Sequence, residues 1–155
     1  MKREFSITDV VKAEAIRLRV EAKDCEDVIR KSGRVMVEQG VVEERYIDAM
    51  IEVFKEMGPY IVVTQGVAIP HARPEDGAKK VGLALLTLKK PINFGHEEND
   101  PVRICIAFAT PDKDQHLKIL ASLAKFLQNR EDIEAITNAR TPEEVIEILR
   151  SYEEV

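Results

Sequence analysis

The segment Val102–Ala109 constrains the fold most, because it is apolar at nearly every position. A strand with one solvated face alternates apolar and polar residues. A continuous apolar run of this length is instead typical of a central strand covered by helices on both faces. Residues 81–88 form a second such run and predict a neighbouring strand. The sequence therefore predicts a sheet buried between helices.

Helical and strand patterns are interspersed along the chain, which favours the α/β fold class. Ile16, Leu18 and Val20 alternate with arginines and predict a first strand. Residues 60–63 predict a short strand, residues 66–71 a tight apolar segment closed by a proline, and residues 95–101 a polar loop. We expect a single domain over residues 1–155, a β-sheet flanked by helices on both faces.

Capping signals place the helices between these strands. Asp24 is the predicted N-cap of a first helix that ends at Gly40. A second helix is predicted to begin near Val42 and to end at residues 58–59. A third begins after residues 111–112, a short one covers 131–137, and Thr141 caps the last. The predicted inward stripes are Tyr46, Met50, Val53, Phe54 and Met57 in the second helix, and Leu117, Leu120, Ala121, Ala124 and Leu127 in the third.

Composition excludes several classes of protein. A net charge of −5 argues against a general nucleic-acid binder, which usually has a basic surface. Cys25 and Cys105 form neither a CxxC pair nor a disulfide framework. No stretch reaches the roughly 20 apolar residues of a membrane helix, and residues 1–8 lack the apolar core of a signal peptide. We therefore expect a soluble, cytoplasmic protein.

The candidate functional residues are the three histidines of the sequence. His71 follows an apolar turn and a proline after a predicted strand, where sites are often built in α/β proteins, and a neutral imidazole there is a nucleophile. His116 lies in the first turn of the third predicted helix, which favours an anion. His96 lies in a charged loop and is interpreted as solvated. From the residues alone, the simpler alternatives stay open: His71 as a loop histidine bonded to the backbone, and His116 as an exposed histidine on a helix.

Familiar cofactor signatures are missing from the sequence. There is no GxxxxGK[ST] loop, GxGxxG fingerprint, GxSxG elbow or HExxH motif. No pair of histidines has the spacing of a preformed metal site. We therefore predict no cofactor and no metal.

Residues 66–74 (GVAIPHARP) resemble the phosphorylation motif of EIIA domains of the bacterial phosphoenolpyruvate-dependent sugar phosphotransferase system, mannitol/fructose class. Residues 46–50 and 99–102 also resemble this family, and its second histidine matches His116 within residues 112–120. Length and element order agree as well, so the resemblance covers nearly the whole chain. It implies the mixed-sheet, EIIA mannitol/fructose-type α/β fold.

The resemblance also implies an activity and partners. His71 would accept a phosphoryl group from the carrier protein HPr and pass it to a cysteine of an EIIB component, which serves a membrane EIIC. His116 would lie beside it and help to hold the phosphoryl group. Mannitol-type members place an arginine in the helix before the motif, where this chain has Lys55 by our count. Lysine keeps the charge but lacks the bidentate fork, so Arg73 is a second candidate cation.

Three functions remain open at this stage. The first is a transport component that transfers phosphate from protein to protein, and residues 58–60 and 71–77 resemble the ascorbate-type subgroup without separating it from the next possibility. The alternative is a regulatory EIIA-like module, whose phosphorylation state controls a partner protein. A third possibility is a non-catalytic binding domain, against which the joint presence of His71 and His116 argues. The first interpretation, a protein-histidine phosphotransferase, is the one we expect.

Overall fold

A computed structural model of the chain describes residues 10–152. Within this range no helix is both long enough and apolar enough to cross a membrane. The expectation that the N-terminus has no signal peptide concerns residues 1–8, which lie outside the described residues.

The described residues form one five-stranded mixed sheet, ordered β1-β4-β5-β3-β2. The pairs β1–β4 and β3–β5 are parallel, whereas β4–β5 and β2–β3 are antiparallel. The strands are β1 (Ile16–Val20), β2 (Val62–Thr64), β3 (Val67–Ala68), β4 (Gly82–Ile92) and β5 (Val102–Ala109). The predicted α/β fold class is therefore confirmed.

Strand β5 is the central strand, as its unbroken apolar run predicts. Its alternate side chains contribute to two separate cores, since successive residues of a strand point to opposite faces. Cys105 and Ala107 belong to the core on one face, whereas Ile106 and Phe108 belong to the core on the other. All four are fully buried. The side chains of β5 therefore pack against helices on both faces of the sheet.

The helices divide between these two faces. Residues of α1 (Cys25–Glu38) and α2 (Arg45–Met57) pack into one core, and residues of α3 (Lys113–Leu127), α4 (Arg130–Thr137) and α5 (Pro142–Arg150) pack into the other. The side chains of Asp24, Asp112 and Thr141 accept the predicted capping hydrogen bonds of α1, α3 and α5. The capping signals therefore located three helix starts correctly.

Two boundaries near α2 differ from the prediction. The helix begins at Arg45 because Val42 pairs with Ala78 in an isolated β-bridge and cannot belong to a helix. Tyr60 lies in a 3₁₀ turn and is 77% exposed, so the strand predicted from residue 60 begins only at Val62. Met57, predicted to face the core, is also exposed.

The predicted inward stripe of α3 is correct only in part, since Leu120 and Leu127 pack against the core and the other three members do not. Leu117 is 63% exposed, and Ala121 and Ala124 are exposed as well. The buried face consists of Ile119, Leu123 and Phe126. The predicted stripe and the buried face both have helical spacing, but only the buried face places a large aromatic ring, that of Phe126, in the core. An exposed apolar stripe therefore follows directly after His116 on the helix surface.

The polar loop between β4 and β5 is confirmed, but its histidine is not simply solvated. The Asp100 carboxylate accepts hydrogen bonds from the backbone amides of Phe94, Gly95 and His96. His96 is half-buried, and its Nδ1 accepts from the amides of Glu98 and Asn99 at 3.2 and 3.0 Å. His96 therefore organises this loop.

Candidate active site

The loop that carries His71 runs beside the carboxyl end of β5. Strands β3 and β5 are parallel, so both end at the same edge of the sheet. Beyond β3, the amide of Phe108 donates to the carbonyl oxygen of Pro70 at 3.2 Å. This bond keeps the loop next to the last residues of β5. His71 consequently lies where β5 leads towards α3.

The imidazole of His71 is fixed by a backbone carbonyl. Its Nδ1 lies 2.8 Å from the carbonyl oxygen of Ile69. A carbonyl oxygen can only accept a hydrogen bond, so Nδ1 must carry the hydrogen. In the neutral ring the free lone pair is then on Nε2. The bond therefore selects the tautomer in which Nε2 is the nucleophile.

Three aromatic rings form the centre of the site. The His71 ring stacks on Phe108, with centroids 4.6 Å apart and planes 24° apart. His116 meets His71 edge-on at 5.2 Å and also contacts Phe108 at 5.2 Å. Phe108 is fully buried and supports both imidazoles from the core side. The two histidines predicted from the sequence are thus brought together, with a phenyl ring beneath them.

Both imidazoles are biased towards their neutral forms. Burial lowers the pKa of His71 below its usual value, and His116 lowers it further, while the bond to the Ile69 carbonyl acts in the opposite direction. Burial also lowers the pKa of His116. Desolvation has this effect because it disfavours the charged imidazolium. Near pH 7 the lone pair on His71 is therefore available for attack.

His116 adds a helix N-terminus to the site. It lies in the first turn of α3, whose N-cap Asp112 accepts from the Gln115 amide at 2.8 Å. The amides at a helix N-terminus and the aligned peptide dipoles favour negative charge. An anion held between His71 and His116 would therefore lie at a favourable end of α3.

The two candidate cations lie on the surface and contact neither histidine through a hydrogen bond. The Arg73 guanidinium is 72% exposed, and its Nε lies 3.3 Å from the Asp76 carboxylate. Lys55, in the last turn of α2, is exposed and forms no ion pair with any residue from 10 to 152. Arg73 is thus partly neutralised by a neighbour, whereas Lys55 is not. The role predicted for each stays a prediction.

Sequence reasoning missed two residues that build the site. Phe108 was assigned only to a buried strand, and Tyr46 only to an apolar helix stripe and to a segment that resembles the family, with no role in the site. The sequence did offer a signal for Tyr46. A tyrosine in an inward-facing helix stripe is expected to be buried, and the hydroxyl of a buried tyrosine usually has a hydrogen-bond partner. The Tyr46 hydroxyl lies 2.9 Å from the carbonyl oxygen of Phe108. No comparable signal in the sequence singled out Phe108.

The described residues contain no cluster of side chains that could bind a metal ion. Across residues 10–152 no group of three or more histidine, cysteine, aspartate or glutamate side chains is placed to hold a metal ion. Cys105 is buried, and burial raises the pKa of its thiol to about 12. It lies 3.2 Å from the hydroxyl of Ser32, within the core.

An imidazole with a free Nε2 lone pair, beside a second imidazole and a helix N-terminus, can bind an anion between the two rings. The family model described as "Phosphoenolpyruvate-dependent sugar phosphotransferase system, EIIA 2" matches residues 9–152. The chain belongs to this family and is an EIIA component of a sugar phosphotransferase system. The resemblance recognised in residues 66–74 is confirmed.

Individual relatives agree with this assignment. The ascorbate-specific PTS system EIIA component of Shigella boydii is 38% identical over 136 residues, covering 87% of this chain and 88% of that protein. The crystal structure of IIA mannitol from Escherichia coli has a TM-score of 0.79 at 31% identity, covering 89% and 97% of the two chains. A complex of enzyme IIA mannitol with phosphorylated enzyme IIB mannitol from Escherichia coli gives 0.80 at 28% identity, covering 92% and 99%.

Proposed function

We propose that this EIIA component carries a phosphoryl group on Nε2 of His71, accepting it from phosphorylated HPr and donating it to a cysteine of an EIIB component. The observation that carries the proposal is the bond between Nδ1 and the Ile69 carbonyl at 2.8 Å. It leaves Nε2 as the only ring nitrogen with a free lone pair. The lowered pKa of His71 keeps that lone pair unprotonated near pH 7.

In the accepting step, the Nε2 lone pair of His71 attacks phosphorus and a new P–N bond forms. The P–N bond of the donor histidine breaks, and its electron pair returns to the donor ring. The His71 ring gains positive charge as the bond forms. The Ile69 carbonyl oxygen, which accepts from Nδ1–H, stabilises that charge because a hydrogen bond to the charged form favours it.

The site must also stabilise the negative charge on the phosphoryl oxygens. Catalysis of phosphoryl transfer depends mainly on positioning and on such electrostatic stabilisation. His116 can donate a charge-assisted hydrogen bond from its ring. The first turn of α3 adds its dipole. Lys55 or Arg73 would supply a cation from the surface.

In the donating step, a cysteine thiolate of EIIB attacks the same phosphorus atom. The P–N bond to His71 breaks, and its electron pair returns to Nε2. The group leaves as a phosphocysteine, and EIIB passes it on in service of a membrane EIIC. A solved relative in complex with a phosphorylated enzyme IIB supports a partner of this class.

Phosphate labelling tests the proposal directly. The protein is incubated with phosphoenolpyruvate, enzyme I and HPr, and the acid-labile phosphate is located by mass spectrometry. We expect label on His71 alone, none in His71→Ala, and slower labelling of the same residue in His116→Ala. ATP without enzyme I and HPr should transfer nothing. Label that persists in His71→Ala, or transfer from ATP alone, contradicts the proposal.

The ascorbate-type subgroup is the substrate class we infer. It rests on residues 58–60 and 71–77 and on the name of the relative that is 38% identical. In the proposed order of transfer, EIIA meets EIIB rather than the transported compound, so its specificity would be specificity for an EIIB partner. Transfer from the phosphorylated protein to purified ascorbate-type EIIB should be faster than transfer to mannitol-type EIIB. The opposite order would reject this subgroup and leave phosphoryl transfer at His71 intact.

A further inference from the structure

The hydroxyl of Tyr46 lies at the junction of three elements. Tyr46 is a fully buried residue of α2, although it ends in a polar group. Its oxygen accepts a hydrogen bond from the amide of Ala72 at 2.9 Å. The same oxygen lies 2.9 Å from the carbonyl oxygen of Phe108 and 3.2 Å from that of Ala72. With one hydrogen to donate, the hydroxyl donates to the shorter of these two contacts, Phe108.

These bonds join the backbone on both sides of the reacting ring. Ala72 follows His71 directly in the chain, and Phe108 carries the ring on which His71 stacks at 4.6 Å. The Tyr46 hydroxyl therefore connects the nucleophile's own loop to the strand that supports the nucleophile. It does so from α2, on the opposite side of the sheet from α3.

Backbone bonds hold the loop before His71, where the amide of Ile69 donates to the carbonyl oxygen of Ile61 at 2.9 Å. Strand β3 is only two residues long, and its ladder with β5 ends at Ala68. The bond between the Phe108 amide and the Pro70 carbonyl extends that contact by one step. After Pro70, no neighbouring strand among residues 10–152 accepts a hydrogen bond from the buried amide of Ala72. The Tyr46 hydroxyl accepts that hydrogen bond instead, and without it the amide would lack a partner.

We propose that Tyr46 is a positioning residue for phosphoryl transfer, holding the His71 loop against β5 so that Nε2 is presented beside His116. The inference rests on the function proposed for His71. Tyr46 touches neither the phosphoryl group nor the reacting nitrogen and acts through Ala72 and Phe108. Burial raises the pKa of Tyr46 to about 12, so its hydroxyl stays protonated and able to donate across the working pH range.

The substitution Tyr46→Phe removes only the oxygen and keeps the ring that fills the core. Misplacing a reacting group by about 1 Å costs on the order of a hundredfold in rate, and a loop that is loosened but still bonded at Pro70 should lose about tenfold. We expect this loss in the first-order rate of transfer at saturating phospho-HPr, with an unchanged KM. Tyr152→Phe is the matched control, since it also removes a hydrogen-bonded hydroxyl, but one that contacts Asp132 on the other face of the sheet, and it should keep the wild-type rate.

A spectroscopic measurement separates positioning from general destabilisation. Nitrogen chemical shifts of His71 report the tautomer and the pKa of its ring. In Tyr46→Phe we expect the pKa to move up towards that of an ordinary histidine and the Nε2-free tautomer to be less populated. If the variant melts near the assay temperature, rates and shifts are recorded 10 degrees below its midpoint, with the wild type at the same temperature.

The outcomes distinguish this inference from the function on which it rests. If His71→Ala abolishes labelling while Tyr46→Phe keeps the wild-type transfer rate and His71 shifts, Tyr46 is only a core residue and the inference is overturned. An equal loss in Tyr46→Phe and Tyr152→Phe also overturns it, because the effect would not require the hydroxyl that bonds the His71 loop. If His71→Ala is still labelled, the proposed function itself fails.

Discussion

Replacing His116 by alanine is the most direct test of how the site works. The His116 ring lies 5.2 Å from that of His71, close enough to donate to a phosphoryl group on Nε2. Removing one preorganised donor of this kind costs about 3 kcal/mol, or about a hundredfold in rate. The first turn of α3 remains, so activity should fall without disappearing.

The variant should also stay folded. His116 contacts two aromatic rings, and each such pair contributes about 0.5–1.5 kcal/mol beyond area burial. The stability cost is then about 1–3 kcal/mol, below the 5–15 kcal/mol typical of a domain. Circular dichroism should show a native spectrum for His116→Ala.

Rapid-quench experiments measure the rate of both steps, the transfer from phospho-HPr to the variant and the transfer from the phosphorylated variant to EIIB. His116→Gln should be milder than His116→Ala, because its amide can donate a similar hydrogen bond. A folded His116→Ala protein with wild-type rates in both directions would refute the reasoning. His116 would then be an exposed helical histidine, and the site would depend on His71 and its cations.

Three further predictions concern protonation, charge and a buried hydroxyl. Because folding lowers the pKa values of His71 and His116, the unfolded chain binds more protons below about pH 6.5, and the free energy of unfolding should fall as the pH drops from there towards the lowered values. The double variant His71→Gln/His116→Gln should lose this part of the dependence in urea titrations, and an unchanged pH profile counts against the burial effect. If Lys55 neutralises phosphate as a point charge, Lys55→Ala should slow transfer more than Lys55→Arg, and the same comparison with Arg73→Ala and Arg73→Lys tests the other cation; wild-type rates for a pair remove that residue from the site. The Oγ1 of Thr110 is buried without a hydrogen-bond partner among residues 10–152, so Thr110→Val should raise the free energy of unfolding by about 1 kcal/mol, and a clear loss of stability in urea titrations would show that the hydroxyl is needed.

Helix α3 shows where pattern reasoning stops. The helix and its N-cap Asp112 followed from local signals, because a capping side chain acts on amides only a few residues away. Its sequence nevertheless carries two apolar stripes of helical period. One stripe is exposed at Leu117, Ala121 and Ala124, whereas the stripe that includes Leu123 and Phe126 is buried. Periodicity cannot rank two such stripes, since the choice depends on the cavity that the sheet and the other helices leave.

Phosphoryl chemistry was predicted from a motif, but the geometry that supports it was not. Residues 66–74 and His116 identified the family and the two imidazoles. The tautomer follows from a carbonyl two residues before His71, and its position is set by the loop conformation. Phe108 and Tyr46 act from elements distant in the sequence. No local pattern encodes such contacts.

By itself, the sequence determined the properties that depend on neighbours along the chain: the buried central strand, the helix starts, the family motif and the identity of its two histidines. Periods of side chains and short-range capping bonds suffice for these. Tertiary structure alone decided which α3 face is buried, which His71 nitrogen is free, and which core residues support it. These depend on strand order and register, which bring distant residues together and set how each group is desolvated.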